Sequence, residues 1–281
     1  MKRILTGIDA YNKMLTTPLP EKTKTYTPVS HMEVTNLVRR QLGFRGYKLL
    51  NEMYSSNQSG TVITVAFIFE YIDDPEISMS AVFVNSYDKT AKFQFKLGGL
   101  SKKHGTFVIS NGFGGSFLKR KHTGSAVDII NEHITESFNG ITMVWDNLIE
   151  FKQQLQNFEI DTTGNASAFV LGRLMLDNAA DSTQMSTVRE NIAACTTASN
   201  KIMSLWDYYH LVASSISNTH PKLWHGAFST LADVIGNVSS LYASAASYRF
   251  AGPVLEGYAS MSIAEPEPVV PTEPEPTLLP F

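Results

Sequence analysis

The stretch SAVFVNSYDKTAKFQFKLG, Ser80 to Gly98, decides how the first half of this chain folds. Two runs rich in β-branched and aromatic residues flank Asp88-Lys89-Thr90, the composition of a hairpin with its turn at those three residues. In the second run Phe93, Phe95 and Leu97 alternate with Lys92, Gln94 and Lys96. A strand with this period has one apolar face and one cationic face. Upstream, TVITVAFIFEYI (Thr61–Ile72) is too continuously apolar for a solvated edge strand. Downstream, GTFVISNGFGGSFLKRKHTG (Gly105–Gly124) reads as short strand pieces broken by glycine turns. Together these predict a curved antiparallel sheet.

Helices frame it. In SHMEVTNLVRRQLG, Ser30 precedes Glu33 by three residues, the spacing of a capping box, and Gly43 supplies a stop. Before it, the prolines and threonines of Tyr11–Ser30 read as part of an extended arm over residues 1–30. From Ser125 to Phe158 apolar residues recur at three- and four-residue spacing, with one stripe over Val127, Ile130, Ile134 and Phe138. Segments 167–179, 186–217 and 221–250 predict at least three more helices. The last is rich in small residues, as a close helix contact or a subunit interface requires. After Gly252-Pro253 nothing periodic remains, and repeated Pro-Glu cannot build a core. The fold class is therefore α+β, not an OB-fold: sheet-rich over 31–124, helical over 125–252, with a disordered acidic tail over 253–281.

The net charge of −3 conceals an asymmetry. Met1–Ser125 holds 17 Lys and Arg against 9 Asp and Glu, whereas Ala126–Ala264 holds 6 against 13. Overall pI misses this split, which points to a polyanionic partner for the first half. No apolar run approaches the length of a membrane span, so no membrane association is expected. The N-terminus lacks the apolar segment of a signal peptide. With Cys195 as the single cysteine, a disulfide framework and a multi-thiolate zinc site are excluded, and an intracellular, reducing location fits.

Catalytic signatures are missing. No Gly-Lys-Ser/Thr follows the glycines of NGFGGS, which read as a tight turn rather than a phosphate cradle. His210, His220 and His225 lie close in sequence but in packing contexts. Asp73 and Asp74 offer the one carboxylate pair that a metal-dependent nuclease would use, and an acidic turn reads the same way. The chain is accordingly expected not to be an enzyme and to need neither cofactor nor metal.

The basic residues carry the signal instead. Between Lys89 and His122 stand Lys89, Lys92, Lys96, Lys102, Lys103, Lys119, Arg120, Lys121 and His122, with no acidic residue among them. Aromatic residues interleave, and Phe113 and Phe117, beside glycines, are the candidates to stack on bases. Cations that track phosphates and rings that stack on unpaired bases hold single-stranded nucleic acid. Arg39, Arg40, Arg45 and Lys48 add to this set, although Arg39 and Arg40 equally suit a helix C-terminus. No helix presents the row of basic and amide side chains that reads a major groove.

The tail EPEPVVPTEPEPTLLPF (Glu265–Phe281) then acquires a role. Its four carboxylates, Glu265, Glu267, Glu273 and Glu275, can compete with nucleic acid for a cationic groove to which they are tethered. Its apolar tip, Pro280-Phe281, can dock on another protein. This resembles the C-terminus of bacterial single-stranded-DNA-binding proteins, an acidic run ending in Pro-Phe. Here prolines separate the acids, and Thr277-Leu278-Leu279 intervenes. A second resemblance covers Ala81 to Gln156: the order Asn-Ser-x-Asp (Asn85–Asp88), Asn-Gly (Asn111-Gly112) and a basic-His element (Lys119–His122) is similar to a phage- and plasmid-borne family of uncharacterised proteins.

The whole chain, with this length, charge split and tail, resembles the Drc group, single-stranded-DNA-binding RNA polymerase cofactors of podophages that carry a giant virion RNA polymerase. The resemblance implies binding of unpaired DNA without strong sequence preference, a part in transcription or early replication, and a setting in the cytoplasm of an infected bacterium. Expected partners are single-stranded DNA, a phage RNA polymerase or replication proteins, and further copies of the chain. A competing reading is a protein-interaction or host-inhibitory factor that never touches DNA.

Overall fold

The structure, a computed structural model, describes residues 4–114, 117–161, 182–197, 202–216 and 224–250. Its centre is a seven-stranded antiparallel sheet in which the strands follow one another in chain order. These are β1 (Ile4–Thr6), β2 (Lys48–Asn57), β3 (Val62–Glu70), β4 (Ile77–Ser86), β5 (Phe93–Ser101), β6 (Phe107–Val108) and β7 (Leu118–Arg120). β6 and β7 both pair with β5, at Gly99–Leu100 and at Phe93–Phe95 respectively. The hairpin turns at Asp88–Thr90, where Lys89 takes φ 63°. Sequential neighbours distinguish this sheet from the Greek-key barrel of an OB-fold.

Burial explains the composition of the central strands. Every residue of β4 is buried, as are the eight from Val62 to Phe69 in β3, so neither strand has a solvated face to alternate with. Phe67, Phe83, Phe93 and Phe95 share the face on which the helix Ala126–Asn139 packs, as expected for the last two. There Phe95 and Phe69 meet Phe138 with ring centroids at 6.3 and 6.1 Å. The Gly98-Gly99 pair permits close approach on both faces. A Cβ on Gly98 would lie 2.6 Å from the Val108 carbonyl oxygen, and one on Gly99 would lie 2.7 Å from Leu148.

The helices are α1 (Gly7–Thr16), α2 (His31–Phe44), α3 (Ala126–Asn139), α4 (Ile141–Gln156), α5 (Ser182–Thr197), α6 (Leu205–Ile216) and α7 (Trp224–Phe250). A small pair, β8 (Glu159–Asp161) with β9 (Ile202–Ser204), stands apart from the main sheet. The predicted cap at α2 is present: the Ser30 hydroxyl accepts from the Glu33 N–H at 3.3 Å. α6 is tied to the sheet by the Tyr209 hydroxyl, which donates to the Phe107 carbonyl at 2.9 Å. α7 meets the same strand through Phe228, 5.8 Å from Phe107. Met1–Ser240 forms one compact unit. Of the second unit, Leu241–Phe281, the described part is the helical run to Phe250.

Four expectations change. Residues 1–30 are not an extended arm throughout. Ile4–Thr6 pairs with Asn57–Ser55, and α1 buries Ala10 and Met14, because apolar Tyr11 and Met14 recur on one helical face. β2 was hidden by its mixed composition, KLLNEMYSSN, and emerges because its partner β3 needs a neighbour. The long helical pattern after Ser125 is two helices, broken at Gly140. α2 runs one residue beyond Gly43, and Gly46, at φ 70°, turns the chain into β2. The helix predicted over 167–179 and the tail over 253–281 lie outside the described residues.

Candidate nucleic-acid interface

The β5–β7 ladder places cations in a row. Gln94 pairs with Lys119, and Phe93 with Arg120; continuing that register sets Lys121 opposite Lys92 and Phe117 opposite Lys96. Since side chains alternate, Lys92, Gln94, Lys96, Phe117, Lys119 and Lys121 share one face, away from α3. Lys92, Lys119 and Lys121 are exposed and have no carboxylate within ion-pair reach among the described residues. Phe117 is 39% exposed at the end of the row. Two-residue steps along a strand are roughly 6.7 Å, so the row offers regularly spaced positive charge.

At the hairpin end the row opens into a cleft of about 240 Å³ lined by Thr25, Tyr26, Lys89, Ala91, Lys92, Lys121, His122 and Thr123. Its floor is aromatic. The Lys89 ammonium lies 4.5 Å from the Tyr26 ring centroid, and Tyr26 lies 5.9 Å from the His122 ring. Three lysines around an aromatic floor suit a phosphate with its base. Sequence reasoning missed Tyr26, and with it Lys24, exposed in the Thr23–Tyr26 turn. The signal is in EKTKTY, a basic-aromatic run within a stretch whose prolines and threonines read as an extended arm.

The order Asn85, Asp88, Asn111, His122 has a structural reason. The Asn85 amide group donates to the Val29 carbonyl at 2.7 Å and lies 2.9 Å from His31 Nδ1, while its Oδ1 lies 2.7 Å from His122 Nε2. His31 stacks on Tyr87 at 3.6 Å. Asn85 thus pins the arm, α2 and the basic-His loop to β4. Asp88 closes the hairpin: Ser86, Thr90 and Thr61 all donate to it. Burial raises its carboxyl, but those hydrogen bonds outweigh burial and bring it down to about 2. Asn111 accepts from Lys96 Nζ at 3.2 Å and donates to Asp233 of α7 at 3.2 Å.

Several expected contacts are corrected. Phe113 is buried against Phe151, ring centroids 5.3 Å apart, and is a core residue rather than a stacking platform. His122 is buried and its pKa is lowered by burial, so it anchors the loop through Asn85 and offers no cation. Lys96 is 2% exposed; burial, opposed by Asp233, lowers it to about 8. Its ammonium lies beneath Phe117, 5.6 Å from the ring centroid, and not at the surface. Arg120 turns to the opposite face, beside Phe93, and is half-buried.

Other cations are tied elsewhere. Arg39 forms a two-pronged pair with Glu52 at 2.8 and 2.7 Å, and Tyr54 accepts from it at 2.9 Å. Arg45 is held by Gln41 and by Asn139 at 2.5 Å, and Lys48 by Glu70 at 3.2 Å. Lys102 donates to the Asp74 carbonyl, and Lys103 pairs with Asp207 at 3.0 Å. Arg40 is exposed on α2, apart from the ladder. Lys89, Lys92, Lys119, Lys121 and Phe117 are therefore the sequence candidates that the fold gathers at one surface.

The acidic pair is engaged in structure. Asp74 accepts from the Glu76 and Ile77 N–H groups at 2.8 and 2.9 Å and pairs with Lys152 at 3.2 Å. The described residues contain no cluster of three or more potential metal-ligating His, Cys, Asp or Glu side chains. Among them, no helix is long and apolar enough to cross a membrane. The tail residues Glu265, Glu267, Glu273, Glu275, Pro280 and Phe281 lie outside the described residues, as does His220. Compared with known proteins, the chain matches no family model, no curated protein and no solved structure.

Proposed function

We propose that this chain is a non-enzymatic single-stranded-DNA-binding protein that serves transcription or replication in a phage-infected bacterium. The strand lies along Lys92, Lys119 and Lys121, with a base on Phe117 and a phosphate in the Lys89–Tyr26 cleft. Contact is with phosphates and ring faces, so sequence preference is weak. The acidic tail lowers occupancy of the row by competing for it, and its Pro-Phe tip recruits an RNA polymerase or replication protein. The observation that supports this reading best is the row itself: exposed lysines with no carboxylate partner among the described residues, beside a ring that is 39% exposed.

The test is fluorescence anisotropy of a labelled mixed-sequence strand against its duplex, at several salt concentrations. Salt-steep binding of the single strand is expected; its absence at low salt overturns the reading and leaves the row as a protein-docking surface. Removing Glu265–Phe281 should leave DNA affinity unchanged or stronger and abolish recruitment of the polymerase. Weaker DNA binding by the truncated chain would count against the competing tail.

A further inference from the structure

Two lysines are buried among the described residues, and their surroundings differ sharply. Lys152 pairs with Asp74 at 3.2 Å and with Glu76 at 3.1 Å. Lys96, the more deeply buried, pairs with no carboxylate among the described residues. Its ammonium donates to Asn111 Oδ1 at 3.2 Å and lies 5.6 Å from the Phe117 ring centroid. An ammonium has three N–H groups, so two of them lack an acceptor among the described residues. A buried charge left in that state is costly, and an aromatic face offsets only part of the cost.

Lys96 lines a pocket of about 150 Å³ between the sheet and α7. Gln94 and Lys119 of the ladder stand beside it, and Gly226, Ser229 and Thr230 of α7 form the other wall. Among the described residues no carboxylate lines this pocket. Asp233 is engaged behind it: Ser110, Asn111 and Ser229 donate to that carboxylate at 2.6, 3.2 and 3.4 Å, and it lines a separate cleft with Glu150. The pocket thus gathers two ammonium groups, two hydroxyls and the amides of Gln94 and Asn111. Gly226 adds the first turn of a 27-residue helix, whose N-terminal end favours an anion. Lys96 keeps its charge at pH 7, since burial lowers it only to about 8.

We infer that this pocket binds a phosphate monoester, seated on Lys96 and covered by Phe117. Two lysines match a dianion, and donors on several sides suit a tetrahedral oxyanion better than a planar carboxylate. With Lys96 only 2% exposed, the pocket admits a terminal phosphate and not a strand that must enter and leave. Internal phosphates of a strand stay on the exposed row. The monoester is either the end of a nucleic-acid strand, which rests on the proposed function, or a free phosphorylated molecule, which does not.

The test begins without DNA. In phosphate-free buffer at constant ionic strength, inorganic phosphate should raise the melting temperature of the full-length protein saturably, with chloride as the reference. Lys96→Met should abolish the rise, and Thr230→Val should weaken phosphate binding about tenfold. A second arm compares 5′- and 3′-phosphorylated single strands with strands that end in hydroxyls, by anisotropy competition. A preference of about tenfold for a phosphorylated end, lost in Lys96→Met, assigns the strand end. A response to free phosphate without an end preference assigns a small molecule, and either result sustains the pocket. The inference is overturned if neither arm responds. It is equally overturned if a response survives in Lys96→Met, which places the phosphate on the surface lysines. Should hydroxyl-ended strands fail to bind while phosphate does, the proposed function falls and the pocket stands.

Discussion

The cations of α2 and β2 and those of the β5–β7 ladder start alike in the sequence and end differently in the fold. Arg39, Arg45 and Lys48 are as basic and as close in the chain as Lys92, Lys119 and Lys121. The first three meet Glu52, Asn139 and Glu70. The second three stand in a stretch of chain without acids, and the ladder turns them to the face away from α3, where no ion pair to a carboxylate forms among the described residues. A cation serves a polyanion when no carboxylate already holds it. Composition counts cations, and the fold decides which of them remain available.

Reversing the row should give the largest effect. The triple variant Lys92→Glu, Lys119→Glu, Lys121→Glu is expected to lose about 100-fold or more in affinity for a single strand near 0.1 M salt. Arg39→Ala should stay within about twofold of wild type. Its cost falls on folding instead, because Glu52 is left half-buried with a tyrosine as its remaining partner; a loss of roughly 1–3 kcal/mol follows. Anisotropy and denaturant unfolding on the same preparations separate the two. Should Arg39→Ala weaken DNA binding more than the triple variant does, the comparison is upside down.

The two phenylalanines sharpen the contrast. Phe117→Ala should lower single-strand affinity about tenfold, within the 1–3 kcal/mol range of one stacked base, and leave the unfolding midpoint near wild type. Phe113→Ala removes a ring packed on Phe151 and should cost about 3–5 kcal/mol of stability, with affinity unchanged in the folded protein. If the folded Phe113→Ala protein binds tenfold less tightly as well, the core and the interface are not separate.

How far the sequence carried these assignments depended on the range of the information required. The β4–β5 hairpin, the apolar β3 and the Ser30 cap were legible because each is specified within about twelve residues: an alternation, a turn, a capping spacing. β2 was not, since KLLNEMYSSN alternates poorly and is a strand because β3 lies beside it. Phe113 and Phe117 look equivalent beside glycines. Only the arrival of Phe151 from α4, distant in sequence, buries the one. The same holds for Arg39, whose acid lies on another element, and for Tyr26, which joins the cleft because Asn85 pulls the arm onto β4. His122 reads as the end of a basic run, and its partner lies 37 residues earlier.

Acid should act on the core and spare the row. Burial lowers His31 to about 3, and His210, buried beside His104, to about 3. In the unfolded chain both take up a proton near pH 6.5. Below that pH the unfolded state binds more protons than the folded one, so stability is full above about 6.5 and declines as pH falls toward 3. The loss is on the order of 2 kcal/mol for each histidine by pH 5. His31→Gln, which can still accept from Asn85, should remove its share of the slope. A midpoint that does not move between pH 7 and 5 would mean that both rings are already protonated in the fold.

Lys96 belongs to both regions, in the row by register and in the core by burial, and so gives the finest test. Burial brings it to about 8, whereas an unfolded lysine titrates near 10.4. Between those values the unfolded state holds a proton that the folded state has released. Its contribution therefore makes stability rise with pH across that window, and its cost is largest below about pH 8. Lys96→Met should stabilise the protein by about 1–3 kcal/mol at pH 7, less what the Asn111 hydrogen bond contributes, and the gain should vanish near pH 10.5. For a strand that stays at the surface, the same variant should change affinity by no more than about threefold. It should also leave intact the salt slope that Lys121→Ala flattens by roughly 0.7. An equal flattening by Lys96→Met would mean that a phosphate reaches beneath Phe117, which would make that ring a cover over the deepest cation of the row and not a platform at its end.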